Sequence, residues 1–127
     1  MVKLQDLVKD TAVEVMTNRV EIYVPSTINL EGTTKNQTEK EFQKETLKTI
    51  SLFSSLFGGA TYDTATGAWI MQNGKMVTER INIVYSFCRP TVLKQHFQRI
   101  LTEANRIKAD LGQEAVTVVV NGEAMFV

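Results

Sequence analysis

The feature that most limits the possible folds is a stretch of alternating residues near the middle of the chain. From Val77 to Phe87, apolar side chains occupy every second position, interrupted by Glu79. Successive residues of a β-strand point to opposite faces of the sheet. The pattern therefore predicts a strand with a buried apolar face. Its polar face, open to solvent, to a ligand or to another copy, would carry Thr78, Arg80, Asn82 and Ser86.

Turn signals precede this strand. Asn73-Gly74 suits the two positive-φ positions of a type I′ hairpin turn. Thr66-Gly67 indicates a second turn, and the segments Thr61–Thr64 and Ala68–Met71 on either side of it favour β-structure. The sequence thus predicts a three-stranded antiparallel meander.

Two long helical patterns flank the predicted meander. The first begins with a capping box at Thr38–Glu41 and ends at Gly58-Gly59. The second begins at Pro90, since proline is well suited to the first helical position. Apolar residues then recur every three or four positions from Leu93 to Leu111, and Gly112 follows as a helix-ending glycine.

The remaining segments complete one α+β domain over residues 1–127. Residues 1–16 suit a short amphipathic helix, Val13 to Val24 then leans toward a strand, and Ser26–Asn36 is expected to be a loop. The strands Glu114–Val120 and Glu123–Val127 would form a terminal hairpin. The order predicts a two-layer sandwich of a mainly antiparallel sheet with the two long helices on one face.

Composition narrows the classes of partner. The chain has 127 residues, of which 43% are hydrophobic, and its 14 basic residues balance its 14 acidic ones. This balance argues against binding to duplex nucleic acid or to an anionic membrane. A single cysteine, Cys88, suits a reducing compartment. No apolar run has the length of a signal peptide or a membrane span, so we expect a soluble cytoplasmic protein.

The junction between the long strand and the second helix is the candidate ligand site. A helix N-terminus attracts phosphate, Arg89 adds a bidentate donor, and Phe87 could stack on a base. On the alternative interpretation, Phe87 simply extends the apolar face and the junction is an ordinary helix start. Arg99 and Arg106 share a polar stripe of the helix that faces either a ligand, a partner subunit or solvent. The full candidate set is Asn82, Ser86, Phe87, Arg89, Thr91, Arg99 and Arg106.

Catalytic and metal-binding patterns are missing from the sequence. Glu79 and Glu114 are isolated carboxylates, so no acid–base pair is evident. His96 and Cys88 have no partner at the spacing of a metal site or a nucleophile pair. Trp69 is expected to be a core or interface anchor. The sequence therefore predicts neither a cofactor nor an enzyme.

An ordered set of short motifs resembles a widespread small bacterial and phage family of unassigned function. The set runs from Phe57–Thr61 through Gly67–Trp69, Asn73–Lys75 and Val77–Glu79 to Gly112–Val116. This resemblance covers roughly residues 53–127 and concerns the fold, while it implies no chemistry.

The size and layout also resemble the phage anti-Thoeris proteins of the first described type. These are oligomeric sponges that bind cyclic ADP-ribose isomers, and in some members cyclic oligonucleotides, without cleaving them. The resemblance implies a phage anti-defence protein in the infected host cell, assembled as a homo-oligomer around a cyclic nucleotide. Phe87, Arg89 and Arg106 are the residue types it implies for base and phosphate contacts. The alternative is a protein-binding inhibitor or adaptor, and a third hypothesis is an enzyme of unrecognised type.

Overall fold

A computed structural model gives the positions of residues 1–70 and 72–127, so Met71, in a predicted strand segment, lies outside the described residues. The helices are α1 (Leu4–Leu7), α2 (Glu39–Phe57) and α3 (Pro90–Asp110). The strands are β1 (Asn18–Pro25), β2 (Thr27–Leu30), β3 (Thr33–Asn36), β4 (Thr61–Ile70), β5 (Met76–Cys88), β6 (Thr117–Val120) and β7 (Glu123–Phe126).

The core of the fold is a five-stranded sheet in the order β4-β5-β1-β6-β7, with every neighbouring pair antiparallel. Helices α2 and α3 pack together on one of its faces. Taken without β7 and the separate β2–β3 hairpin, the chain order is β-α-β-β-α-β, which is the ferredoxin-like arrangement. The predicted α+β sandwich with a mainly antiparallel sheet is confirmed.

Both long helices begin and end as their sequences predict. In the capping box of α2, the Glu41 amide donates to Thr38 Oγ1 at 3.1 Å, and the Thr38 amide donates to Glu41 Oε1 at 2.9 Å. Gly58 ends α2 with a φ of +85°, and Gly112 follows α3 with a φ of +61°. Among the described residues, no helix combines the length and apolarity needed to cross a membrane.

The orientation of β5 is the reverse of the predicted one. Its polar residues Asn82 and Ser86 are buried beneath the helices, together with Val84 and Cys88. The residues predicted to be buried lie on the opposite face, which no described helix covers: Ile81, Ile83, Tyr85 and Phe87. The alternation was real, but the prediction that its apolar side faces the core is wrong.

The reversal has a physical cause in the neighbouring strands. On the helix side, β1 supplies the fully buried Val20, Ile22 and Val24, so the core does not depend on the apolar side of β5. The buried polar groups of β5 have partners, as buried groups require. Ser86 Oγ, for example, donates to the Gly59 carbonyl at 2.6 Å.

The predicted three-stranded meander is a two-stranded hairpin. Strand β4 runs without a turn through Gly67, which pairs with Glu79. The pairing advances residue by residue from Thr61↔Tyr85 to Ile70↔Met76, because the long β5 offers a partner to every position. Gly74 lies in the connection with a φ of +83°.

Three shorter predictions also change. The helix expected over residues 1–16 is confined to Leu4–Leu7 and buries no residue. The loop expected at Ser26–Asn36 is the β2–β3 hairpin, whose turn residues Glu31 and Gly32 have φ values of +53° and +79°. The C-terminal hairpin forms as expected, with its first strand beginning at Thr117 rather than Glu114.

Candidate ligand cleft at the start of helix α2

A cleft of about 380 Å³ lies where the start of α2 meets the β4–β5 hairpin and the end of β1. Small-molecule sites usually occupy about 300–1,000 Å³, so the cleft is large enough for a nucleoside-sized ligand. Its lining residues are mostly polar: Ser26, Asn36, Gln37, Glu39, Phe42, Thr66, Thr78, Glu79 and Arg80. We call this feature the α2 cleft.

Arg80 bridges two sides of the α2 cleft. Its guanidinium group pairs with the Glu39 carboxylate and lies 5.5 Å from the centroid of the buried Phe42 ring. The side chains of Arg80 and Glu39 are 51% and 76% exposed. Ion pairs this exposed add little stability, so both groups can exchange this partner for a charged ligand at small cost.

Glu79 also lines the cleft, but it is adjacent to Arg80 in β5, so its side chain leaves the opposite face of the strand. Its Oε1 accepts a hydrogen bond from Thr27 Oγ1 at 2.6 Å and one from the Thr27 amide at 3.3 Å. Among the described residues, no cationic side chain pairs with Glu79. The two neutral donors of Thr27 thus hold this carboxylate on the side of β5 away from Arg80.

A buried hydrogen-bond network supports the cleft from behind. Thr64 Oγ1 donates to Asn82 Oδ1 at 2.7 Å, and Asn82 Nδ2 donates to Thr46 Oγ1 at 2.9 Å. The Thr46 hydroxyl in turn donates to the Phe42 carbonyl at 2.9 Å. Asn82, a predicted ligand-binding residue, therefore ties β4, β5 and the first turns of α2 together.

The β5–α3 junction, the site predicted from the sequence, brings together only part of the candidate set. Phe87 is 52% exposed, and Arg89 pairs with Glu14 instead of standing free. Thr91 is exposed in the first turn of α3, while Ser86 points to the buried side of the sheet. A cavity of about 180 Å³ beside Phe87 and Arg89 is smaller than usual ligand sites.

The two helical arginines lie elsewhere. Arg106 joins α3 to α2, with its guanidinium nitrogens 2.7 Å from Glu103 Oε1, 2.9 Å from Glu45 Oε2 and 3.2 Å from Asp110 Oδ2. Its pKa is raised, chiefly by the hydrogen bond to Glu103. Arg99 is exposed on α3. The seven candidates thus fall into separate places, and their ligand-binding roles stay predictions.

Sequence reasoning placed Thr78 and Arg80 on a polar face of β5 open to solvent, a ligand or another copy, but it missed the other residues that line the α2 cleft. One signal was available: Glu79 interrupts the apolar alternation of β5, and a charged residue at such a position often has a specific partner. No signal linked Arg80 to Glu39 and Phe42, because Arg80 and Glu39 lie 41 residues apart. The described residues contain no cluster of three or more potential metal ligands.

The strand order and the two covering helices define a ferredoxin-like α+β protein, and comparison with known proteins narrows that class. No protein-family model and no curated protein matches the sequence. A solved phage SAM lyase in complex with S-methyl-5′-thioadenosine has the same fold, with a TM-score of 0.62 and 16% identity over 93% of this chain and 94% of that one. A phage SAM lyase in the apo state has a TM-score of 0.60 and 17% identity over 92% of this chain and 95% of that one.

These similarities establish the fold and correct one expectation. The sequence predicted a protein that is not an enzyme, and this prediction is wrong, since both neighbours with this fold are lyases. The neighbours are phage proteins, as the sequence resemblance implied, but they are not members of the anti-Thoeris sponge family. One of them holds a small nucleoside, so this fold accommodates a ligand of that size.

Proposed function

We propose that this chain is a phage anti-defence enzyme that binds S-adenosylmethionine (SAM) and cleaves it, releasing S-methyl-5′-thioadenosine. The observation that carries the proposal is the polar α2 cleft in a fold shared with SAM lyases over 93% of the chain. Removal of SAM would deprive a bacterial host of the methyl donor on which methylation-dependent defences rely.

The charges of the α2 cleft complement those of SAM. SAM carries an α-amino cation, a sulfonium cation and one carboxylate, so its net charge is positive. The cleft offers the carboxylate of Glu39 and the guanidinium group of Arg80. In the proposed complex, Arg80 forms a bidentate pair with the substrate carboxylate. The Glu39 side chain faces the cationic amino and sulfonium groups.

The proposed reaction needs orientation more than proton transfer. The bond between the sulfonium sulfur and Cγ of the aminoacyl chain breaks, and its electron pair stays on sulfur as neutral S-methyl-5′-thioadenosine leaves. The substrate's own carboxylate oxygen can form the new bond to Cγ, which yields a lactone without water or a proton acceptor. Binding that fixes the carboxylate near Cγ accelerates such an intramolecular step. A cleft without an evident acid–base pair is compatible with this chemistry.

The proposal is tested by incubating the purified protein with SAM and analysing the products by liquid chromatography and mass spectrometry. We expect S-methyl-5′-thioadenosine and the four-carbon lactone. Arg80→Ala should weaken SAM binding by about 1–3 kcal/mol, the scale of a lost charge-assisted hydrogen bond, or roughly 5- to 150-fold. Arg89→Ala is the matched control, because Arg89 is similarly exposed, at 59%, and also paired with one glutamate.

Each contrary outcome is informative. An effect of Arg89→Ala without one of Arg80→Ala would move the ligand to the β5–α3 junction. Intact SAM after prolonged incubation would reject the lyase proposal. A thermal-shift series containing cyclic ADP-ribose isomers and cyclic oligonucleotides tests the earlier ligand prediction, since stabilisation by those compounds and not by SAM would favour it.

We also propose that the chain forms a homo-oligomer through the uncovered face of the sheet. This open face carries a row of apolar residues at alternate positions of β5: Ile81, Ile83, Tyr85 and Phe87. Tyr85 and Phe87 pack edge to face at 5.9 Å, and the Arg19 guanidinium lies 3.7 Å from the centroid of the Tyr85 ring. Apolar patches of this kind mark interaction surfaces in soluble proteins.

A further inference from the structure

The outward surface of helix α2 carries a row of lysines. Lys40, Lys44 and Lys48 are exposed and follow one another at intervals of four residues, so they lie on one side of the helix. The rise of an α-helix spaces them about 6 Å apart along its axis. Leu47, which is 48% exposed, lies beside the last two lysines. We call these four residues the lysine ridge, and with two neutral polar neighbours they line an open groove of about 450 Å³.

Most of the positive charge of the lysine ridge is not neutralised within the chain. The carboxylates of α2 have other partners, since Glu39 forms an ion pair with the sheet and Glu41 caps the helix. Glu45 bonds to one ridge lysine and also to α3. In the described part of the chain, Lys40 and Lys44 form no ion pair. Like charges four residues apart repel each other and weaken a helix, so an opposing negative surface would relieve a repulsion that the isolated chain retains.

We propose that the lysine ridge is the docking surface for an acidic amphipathic helix of a partner protein. A second helix repeats its side chains at the same interval, so carboxylates placed every four residues can each face one lysine. An apolar side chain beside these carboxylates would cover Leu47 and exclude water from the ion pairs. This surface lies outside the α2 cleft and does not depend on which ligand the cleft binds.

Other negatively charged partners match the lysine ridge less well. Anionic membranes attract clusters of about four to eight basic residues, and the ridge holds three. Single-stranded nucleic acids are held by aromatic side chains as well as by basic ones, but the six described residues that line the groove include no aromatic side chain. A small phosphate ligand needs a concave site, whereas all six belong to the single helix α2. A straight row of charges on a helix therefore fits another helix best.

Fluorescence anisotropy with a labelled synthetic peptide tests the proposal. The probe has about 20 residues, enough to form a helix in water, with three glutamates four residues apart and one leucine beside them. We expect binding that weakens as the ionic strength rises from about 50 to about 500 mM, because salt screens exposed ion pairs. Lys44→Glu should weaken binding roughly tenfold or more, since it sets like charges against each other. Leu47→Ser should weaken binding by a smaller factor at every salt concentration.

Lys94→Glu is the matched control for these variants. Lys94 is also exposed on a helix, but it has no lysine or arginine three or four residues away, so its variant should bind the peptide as tightly as the wild type does. The double variant Lys40→Glu, Lys44→Glu should instead bind a second peptide in which lysines replace the three glutamates. Melting temperatures within a few degrees of wild type will show that these exposed substitutions leave the fold intact.

The proposal has several ways to fail. It is overturned if the wild type does not bind the peptide at low salt, if Lys44→Glu binds as well as the wild type, or if Lys94→Glu loses binding equally. A third peptide has the same composition with its glutamates spread around the helix, and equally tight binding of it would reveal a general attraction to acidic chains. Binding of phosphatidylserine vesicles or single-stranded DNA in place of the peptide, with loss in Lys44→Glu, would assign the ridge to that polyanion and reject the helix.

Discussion

Replacing Gly112 with alanine should strongly destabilise the protein. Gly112 has a φ of +61°, and a β-carbon at this position would overlap the carbonyl oxygen of Asn29 and lie 3.0 Å from its carbonyl carbon. Both obstructing atoms belong to the backbone of β2, so a side-chain rotation cannot relieve the contact. The β2–β3 hairpin would have to move away from the end of α3.

The contacts that hold this hairpin determine how much the free energy of unfolding falls in Gly112→Ala. Alanine in the left-handed region costs about 1 kcal/mol. Three hydrogen bonds join the hairpin to the end of α3: the Asn29 amide to the Leu111 carbonyl at 2.9 Å, Asn29 Nδ2 to the Gly112 carbonyl at 3.1 Å, and Gln113 Nε2 to the Thr27 carbonyl at 3.1 Å. At about 1 kcal/mol each, losing two or three of them brings the total to about 3–4 kcal/mol. For a domain of this size, that lowers the melting temperature by roughly 10–20 °C.

Urea unfolding followed by far-ultraviolet circular dichroism measures this change, with Gly67→Ala as the control. Gly67 lies in β4 outside the left-handed region, and the nearest atom to an added β-carbon is the Glu79 carbonyl oxygen at 3.9 Å. Gly67→Ala should therefore change the free energy of unfolding by less than about 0.5 kcal/mol, although the sequence alone suggested a sensitive turn there. Equal effects of the two substitutions would refute the reasoning. The hairpin also supplies Asn36 to the α2 cleft, so Gly112→Ala should weaken SAM binding too.

Two further predictions concern the helix interface and the open face. Burial raises the pKa of Glu45, but hydrogen bonds from Arg106 and Lys48 outweigh it, so the pKa lies below its ordinary value of 4.5. The stability that depends on this carboxylate is therefore present above pH 4.5 and lost as the pH falls through the lower, folded-state value. Urea midpoints measured across acidic pH should show this loss in the wild type and a smaller loss in Arg106→Met. Ile83→Asp should lower the molar mass of the assembly by placing a charge on the open face, and an unchanged mass would exclude that face as the interface.

The sequence predicted the parts of the fold that local chemistry determines. The capping box at Thr38, the helix-ending Gly58 and the proline at the start of α3 act within a few residues, and all three are present in the structure. The residues of β5 alone could not show which of its two faces is buried. Which face of a strand is buried depends on what its neighbours contribute, and here β1 and β6 provide the apolar core through residues such as Ile22 and Val118.

The candidate site was harder to predict for the same reason. Arg80 and Glu39 lie 41 residues apart in the chain and meet only because α2 crosses the sheet at the base of the β4–β5 hairpin. Arg89, in contrast, stood next to a recognisable helix start, so the sequence drew attention to it. Neighbouring residues can be recognised from a sequence, whereas a cleft made by tertiary contacts needs the sheet order first.

The position of Trp69 decides what its fluorescence can report. It is the only tryptophan in the chain, and it lies half-exposed on an edge strand outside the core. Its emission in the isolated chain should already resemble that of an indole in water, so unfolding would change the spectrum little. A shift of the emission to shorter wavelength with rising protein concentration would instead record the burial of this side chain by another chain. The protein thus carries an intrinsic optical probe of its assembly.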